Sequence, residues 1–164
     1  MISPHLPALQ IILPLLAAPV CVIIRRGFLV YGFAVIVAWL AFAVSILLLQ
    51  EVTSVGVISY KLGGWAPPWG IEYRIDLVNA YVLLIVSAIG ALTISYAKPS
   101  VEKEINEERG YLFYTAFLLC LAGLLGVTIT GDAFNIFVFL EISSLSSYAL
   151  ISMGRDRRAL TAAF

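Results

Sequence analysis

The sequence predicts an all-α integral membrane protein: five transmembrane helices, a short extracytoplasmic β-hairpin between helices 2 and 3, and the start of a sixth helix at the C-terminus. Three observations carry this. The 164 residues are 62% hydrophobic and only 12% charged, against about a quarter charged in a soluble domain. Mean hydropathy is +1.01. The apolar residues gather into five runs, Leu6–Ile24, Phe28–Gln50, Leu77–Tyr96, Tyr111–Thr130 and Ala133–Ser152, each of 19 to 23 residues, within the ~17–25 that a spanning helix requires.

The first run contains Pro14 and Pro19. Each removes a backbone donor from a helix interior, which membrane helices tolerate when neighbours supply other partners, so a bent helix packed against protein is expected. Met1 to Pro7 holds no Lys or Arg and no small-residue cleavage site follows, so this run is expected to be a retained helix, not a signal peptide. Arg25, Arg26 and Gly27 form a tight turn into the second run, which carries Trp39 and no chemistry-bearing group.

Composition changes between Glu51 and Ile75. Val52 to Leu62 is β-prone, Ile71 to Asp76 alternates apolar and polar residues, and Gly63-Gly64-Trp65-Ala66-Pro67-Pro68-Trp69-Gly70 between them is dense in turn formers. This reads as a hairpin at the membrane surface, with Trp65 and Trp69 suited to the headgroup zone. The third run starts after Asp76, a good N-cap, and is expected to close at Lys98-Pro99. Glu102 to Arg109 then reads as a charged, solvated connector.

Gly123, Gly126 and Thr128 in the fourth run allow close helix contact. The turn Thr130-Gly131-Asp132 is so short that the fourth and fifth helices must be antiparallel neighbours. After Met153-Gly154 and a basic stretch, Arg155 to Arg158, the residues Ala159 to Phe164 open another apolar pattern. The whole chain is expected to be one membrane domain, the N-terminal portion of a longer subunit.

Charge assigns sides. With five spans, Arg25, Arg26, Lys98, Lys103, Arg109, Arg155, Arg157 and Arg158 fall on one side, eight of the ten Lys and Arg, and Lys61 and Arg74 on the other. The positive-inside rule places the first set in the cytoplasm of a cell with this protein in its plasma membrane. The N-terminus and the hairpin are then outside; loop 97–110 and residues 153–158 are inside.

Across the five runs the one ionisable acid or base among Asp, Glu, Lys and Arg is Glu141. It lies roughly 13 Å along the helix from Asp132, close to the middle of a ~30 Å hydrocarbon core. A charge at that depth costs several kcal/mol on even the gentlest insertion scale, and intramembrane acids mark ion pathways. Helical spacing puts Phe134, Phe137, Val138, Ser144, Leu145 and Tyr148 on the face of Glu141. Ser144 and Tyr148 are expected to donate hydrogen bonds to a carboxylate or to hold water beside it. Desolvation favours the neutral form of a carboxyl and an adjacent cation favours the charged form, so a carboxyl beside a moving cation loads and releases a proton. The competing role is a protonated Glu that glues helices together. Asn135 is either a polar step on a water path or helix glue. Asp132 reads as an N-cap. Of Ser143, Ser144, Ser146 and Ser147, two face away from Glu141 and fit tight packing.

Other chemistries lack material. Lys and Arg number ten, as do Asp and Glu, so no basic face invites nucleic acid. Cys21 and Cys120 both lie in apolar runs and read as free, buried hydrophobes. A single histidine, His5, leaves no cluster for zinc or haem; it fits either a surface position or an outer ion entrance. No metal or cofactor is expected.

The run Gly131 to Glu141, followed by Ser146-Ser147-Tyr148-Ala149-Leu150-Ile151, resembles the fifth helix of the antiporter-like subunits: the large proton-pumping membrane subunits of respiratory complex I, of membrane-bound hydrogenases and of the Mrp sodium/proton antiporters. Gly63-Gly64-Trp65, Pro68-Trp69-Gly70-Ile71, Asp76-Leu77 and Met153-Gly154 with Arg157-Arg158-Ala159-Leu160 look most like the D-type subunit of the Mrp group. The resemblance covers the whole chain and about the first third of the family's length. It implies that Glu141 is the family's intramembrane glutamate, paired with a lysine on a later broken helix beyond Phe164. It implies other hydrophobic subunits as partners, protons with or without sodium as cargo, and no NADH, flavin or iron–sulfur site within this chain. A complex I or hydrogenase subunit and a scaffold without transport of its own are the competing assignments.

Overall fold

The computed structural model describes residues 5–65, 69–106, 109–154 and 157–163. Ala66 to Pro68 of the expected turn, Glu107 and Glu108 of the charged connector, Arg155 and Asp156 of the basic stretch, and Phe164 lie outside the described residues. The elements are α1 (Leu6–Ile24), α2 (Gly27–Val55), β1 (Ile58–Lys61), a 3₁₀ turn (Leu62–Gly64), β2 (Glu72–Ile75), α3 (Leu77–Glu104), α4 (Gly110–Ile129), α5 (Ala133–Ser152) and α6 (Arg157–Ala162). Helices α1 to α5 are long and apolar enough to cross a membrane.

α1 runs unbroken through Pro14 and Pro19. Pro7, Gln10, Ile11, Pro14, Ala17, Ala18 and Cys21 form its buried stripe at helical spacing. The helix stops where Arg25 turns left-handed, at φ 52°, and its N–H returns to the Cys21 carbonyl at 3.2 Å. Helix α2 begins two residues later, so α1 and α2 are neighbours.

Two ends differ from the sequence expectation. α2 continues past Gln50 to Val55, and the β-prone reading from Val52 holds only from Ile58. Val52 is buried on the helix, and the Thr53 and Ser54 hydroxyls donate back to the carbonyls of Gln50 and Glu51 at 2.8 and 2.9 Å. Likewise, α3 does not close at Lys98-Pro99 but carries Pro99 inside and runs to Glu104. Proline deprives the carbonyl four residues earlier of its helical donor. That carbonyl belongs to Ser95, and the Tyr31 hydroxyl of α2 donates to it at 2.9 Å. The replacement partner comes from a neighbouring helix, and local sequence rules carry no information about it. The charged connector is correspondingly shorter than expected.

β1 and β2 pair antiparallel in the register Ile58↔Ile75 to Lys61↔Glu72, forming the hairpin between α2 and α3. Tyr73 and Ile75 point inward and are buried, whereas Arg74 is exposed. Trp65 and Trp69 project outward, Trp69 at 90% exposure. The outer edge of β2 is not left open: Tyr73 bridges to Thr130, and the Gly131 N–H donates to the Glu72 carbonyl at 2.8 Å. The hairpin thus holds the turn between α4 and α5.

α4 is the central helix, packed on α1, α3 and α5, and α2 packs on α3. The expected antiparallel α4–α5 pair is present, and it is close because of glycine. A Cβ at Gly123 would lie 2.7 Å from the Ser143 nitrogen and 2.9 Å from the Phe139 carbonyl oxygen, and one at Gly126 would enter the Phe139 ring. α2 and α3 are joined at depth by the Ser45 and Ser87 hydroxyls, 2.6 Å apart and both buried.

Candidate intramembrane acid site on the fifth helix

Asp132 starts α5 as expected: its Oδ1 accepts from the Asn135 N–H at 2.8 Å. Asp76 caps α3 in the same way, through the Asn79 N–H at 2.8 Å. Satisfying an orphan first-turn donor with a carboxylate is the standard physical use of Asp at this position.

The buried face of α5 consists of Asn135, Phe139, Ser143 and Ser146. It packs on the glycine side of α4, and the serines serve that contact. Ser143 donates to the Leu140 carbonyl at 3.0 Å, Ser147 to the Ser143 carbonyl at 2.8 Å, and the Ser147 hydroxyl lies 3.3 Å from the Cys120 thiol of α4. Cys21 and Cys120 are both free.

Glu141 lies on the other face and is exposed in this chain. Phe134, Phe137, Leu145 and Tyr148 flank it and are exposed too, Tyr148 at 53%. Ser144 is on the same side and half-buried. Among the described residues no hydrogen bond joins Ser144 or Tyr148 to Glu141. Both donors therefore stand within the right sector of the helix, and neither engages the carboxyl. Asn135 is not brought to Glu141 at all. It is buried, and its Nδ2 donates to Asp132 Oδ2 at 2.5 Å; it belongs to the helix cap. α5 has only 22% of its most apolar window buried, against 28–50% for the other four helices. α5 is thus the least covered of the five long apolar helices, and Glu141 stands on its exposed side.

At the hairpin end of α5 stands a second polar group. His5 Nδ1 and the Tyr60 hydroxyl hydrogen-bond at 3.0 Å, and the Tyr60 and Tyr73 rings stack at 6.4 Å. Burial, with Asp132 and then Tyr60 beside it, pushes the Tyr73 phenol above its ordinary range, so it stays neutral and able to donate at physiological pH. The sequence reading singled out His5 and Asp132 but not Tyr73 or Thr130, whose meeting depends on a bridge between remote segments. No metal-holding group of His, Cys, Asp and Glu occurs among the described residues.

Five helices long and apolar enough to cross a membrane, a hairpin clamped over the α4–α5 turn and one acid at the middle of α5 define a multi-pass membrane subunit. No family model matches the chain. It is 41% identical over 162 residues to NADH-quinone oxidoreductase subunit N of Desulforudis audaxviator, covering 97% of this chain and 32% of that protein. It is 35% identical over 129 residues to the D subunit of the Na(+)/H(+) antiporter of Alkalihalophilus pseudofirmus, covering 79% of this chain and 25% of that protein. Its fold matches a chain of the Mrp complex from Dietzia sp. with a TM-score of 0.86 and 25% identity, covering 99% of this chain and 30% of that one. The chain belongs to the antiporter-like membrane subunit family and corresponds to the N-terminal portion of its relatives. It spans between a quarter and a third of their length.

Proposed function

We propose that this chain is the N-terminal membrane domain of a subunit that moves monovalent cations against protons, and that Glu141 carries the proton or cation. The observation that carries the reading is one acid at the middle of α5, exposed on the least covered of the five long apolar helices. A carboxyl at that depth is costly in lipid, and intramembrane acids face protein or water-filled cavities. The face of α5 that bears Glu141, Ser144 and Tyr148 is therefore covered in the assembly, by a later part of the same subunit or by a neighbouring hydrophobic subunit. A cation on the covering element, a lysine by the family resemblance, charges and discharges Glu141 as it moves. Ser144 and Tyr148 supply hydroxyls to the carboxyl or to water next to it once that cover is in place. The positive-inside distribution orients the hairpin and the N-terminus outside the plasma membrane and the α3–α4 connection in the cytoplasm.

Two forms of the reading share this chemistry. Similarity to the D subunit of a sodium/proton antiporter supports sodium-coupled exchange. The 41% identity to a quinone oxidoreductase subunit N supports a proton-pumping subunit of a redox complex. Proton movement measured in vesicles holding the assembled complex separates them. The sodium/proton form predicts proton movement on a sodium pulse without any reductant. The redox form predicts proton movement on addition of reductant and quinone, with no response to sodium. Absence of both responses contradicts the proposal.

A further inference from the structure

Where the α1–α2 turn meets the end of α3 and the start of α4, the bundle leaves a cavity of about 370 Å³. Gly27 and Phe28 of α2 line one side of it. Lys98 and Glu102 come from the last two turns of α3, Asn106 from the connection that follows, and Tyr114 from α4. Distances tie these groups together. The Lys98 ammonium stands 5.1 Å from the centre of the Phe28 ring and 5.7 Å from that of Tyr31, and the Tyr31 and Tyr114 ring centres lie 5.8 Å apart. This end of the bundle also carries Arg25, Arg26, Lys103 and Arg109.

Three sets of donors at this cavity have no acceptor among the described residues. The first is the start of α2, which has neither a side-chain cap nor an acid in its first turn. The first main-chain bond back to Arg26 comes from the Val30 N–H, at 2.9 Å. The N–H groups of Gly27, Phe28 and Leu29 are left over, at the end of a 29-residue helix where anions are stabilised. A Cβ added at Gly27 would meet nothing within 4 Å, so no side chain crowds the backbone there. The second is Tyr114, which is only 3% exposed, lines the cavity, and has no hydrogen-bond partner for its hydroxyl. A buried hydroxyl left unpaired costs free energy. The third is Lys98, whose ammonium carries three donors; its ion-pair partner Glu102 is 3.9 Å away, beyond hydrogen-bond length.

Donors of this kind call for an oxyanion, and charge narrows the choice. The charged side chains lining the cavity are one of each sign, Lys98 and Glu102. A simple anion would meet the Glu102 carboxylate, and a simple cation would meet Lys98 and the start of α2. A phosphate with an ammonium a few bonds away satisfies both. Phe28, 74% exposed, sets apolar surface beside the polar groups. We propose that this pocket holds the headgroup of an amine-bearing phospholipid of the phosphatidylethanolamine type. Its phosphate accepts from the first-turn N–H groups of α2, the Lys98 ammonium and the Tyr114 hydroxyl, in charge-assisted hydrogen bonds. Its ammonium turns to Glu102 and Asn106, and its acyl chains start along Phe28. The site is independent of Glu141 and of any transport reaction.

Native mass spectrometry of the assembled complex tests this, after removal of bound lipid in detergent and titration with phosphatidylethanolamine, phosphatidylglycerol or inorganic phosphate. The unaltered complex is expected to retain one phosphatidylethanolamine more than the Lys98→Gln complex. Tyr114→Phe removes the hydroxyl and keeps the ring, and is expected to weaken that retention about tenfold, the size of one hydrogen bond to a charged group. Glu102→Gln is expected to abolish the preference for the ethanolamine over the glycerol headgroup. The Tyr114 hydroxyl bonds to no described residue, so its removal is expected to leave folding intact, and Tyr114→Phe decides the matter even where Lys98→Gln does not assemble. Equal retention of phosphatidylethanolamine by the unaltered and Tyr114→Phe complexes overturns the proposal. Displacement of that lipid by inorganic phosphate, or equal retention of phosphatidylglycerol by the unaltered complex, overturns it too.

Discussion

Vesicles containing the assembled complex with Glu141→Gln are expected to show ion-driven proton movement no greater than vesicles without the complex. Gln keeps the size of the side chain and its hydrogen-bonding reach but cannot take up or release a proton. If Glu141 is the carrier, the step through α5 is lost, not slowed. Folding is not expected to confound the result. Glu141 is exposed on α5 and holds no hydrogen bond or ion pair among the described residues, so the five-helix fold does not depend on it, and the thermal midpoint reads any effect on assembly. Glu141→Asp retains the carboxyl but withdraws it by one methylene, so partial movement is expected. A fluorescent pH probe inside the vesicles, read beside the thermal midpoint of each variant, checks both halves. Unaltered movement in Glu141→Gln rules out the carrier role; lost movement with a collapsed midpoint assigns Glu141 to helix packing.

The second large effect lies on the buried side of the same helix. Gly126→Val puts branched carbons where the Phe139 ring now packs. Overpacking of this kind costs about 1–3 kcal/mol and at times more, and each kcal/mol lowers the midpoint of a domain of this size by about 2–4 °C. The two glycines are expected to respond differently to repair. The obstacle at Gly126 is a side chain, so Phe139→Ala makes room, and the pair of changes is less damaging than the sum of the two singles. Coupling between residues in contact typically reaches about 0.5–3 kcal/mol. At Gly123 the nearest atoms include the Ser143 nitrogen at 2.7 Å and the Phe139 carbonyl oxygen at 2.9 Å, both backbone. No side-chain reduction relieves that contact, so Gly123→Ala forces α4 and α5 apart whatever accompanies it. Thermal midpoints of the three singles and the Gly126→Val, Phe139→Ala pair measure this. Strict additivity at Gly126 contradicts the close seam.

Much of this architecture is legible in sequence, because a membrane imposes length and apolarity on each crossing segment. The bounds of α1 and α5 follow directly, and Asp76 and Asp132 cap their helices because an oxygen two bonds from Cβ reaches a first-turn N–H. The glycines of α4 also announce their role. What fails is whatever depends on a remote partner. Pro99 reads as a stop until Tyr31 is seen to serve the Ser95 carbonyl. The Tyr73–Thr130 bridge joins two segments that nothing local connects. For the acid site, charge and position along the helix single out Glu141, and helical spacing puts Ser144 and Tyr148 in its sector. The engagement of those hydroxyls does not follow from spacing, since a shared sector fixes direction and not contact. Asn135 is drawn away by Asp132, three residues before it.

The most direct measurement is a structure of the complete assembly in a lipid bilayer, read at the outward face of α5. The account predicts that protein covers this face and that a Lys, Arg or His side chain, or water held by polar groups, stands within hydrogen-bond or ion-pair distance of the Glu141 carboxyl. Acyl chains packed along Phe134, Phe137, Glu141 and Leu145, with no polar atom near the carboxyl, would contradict it.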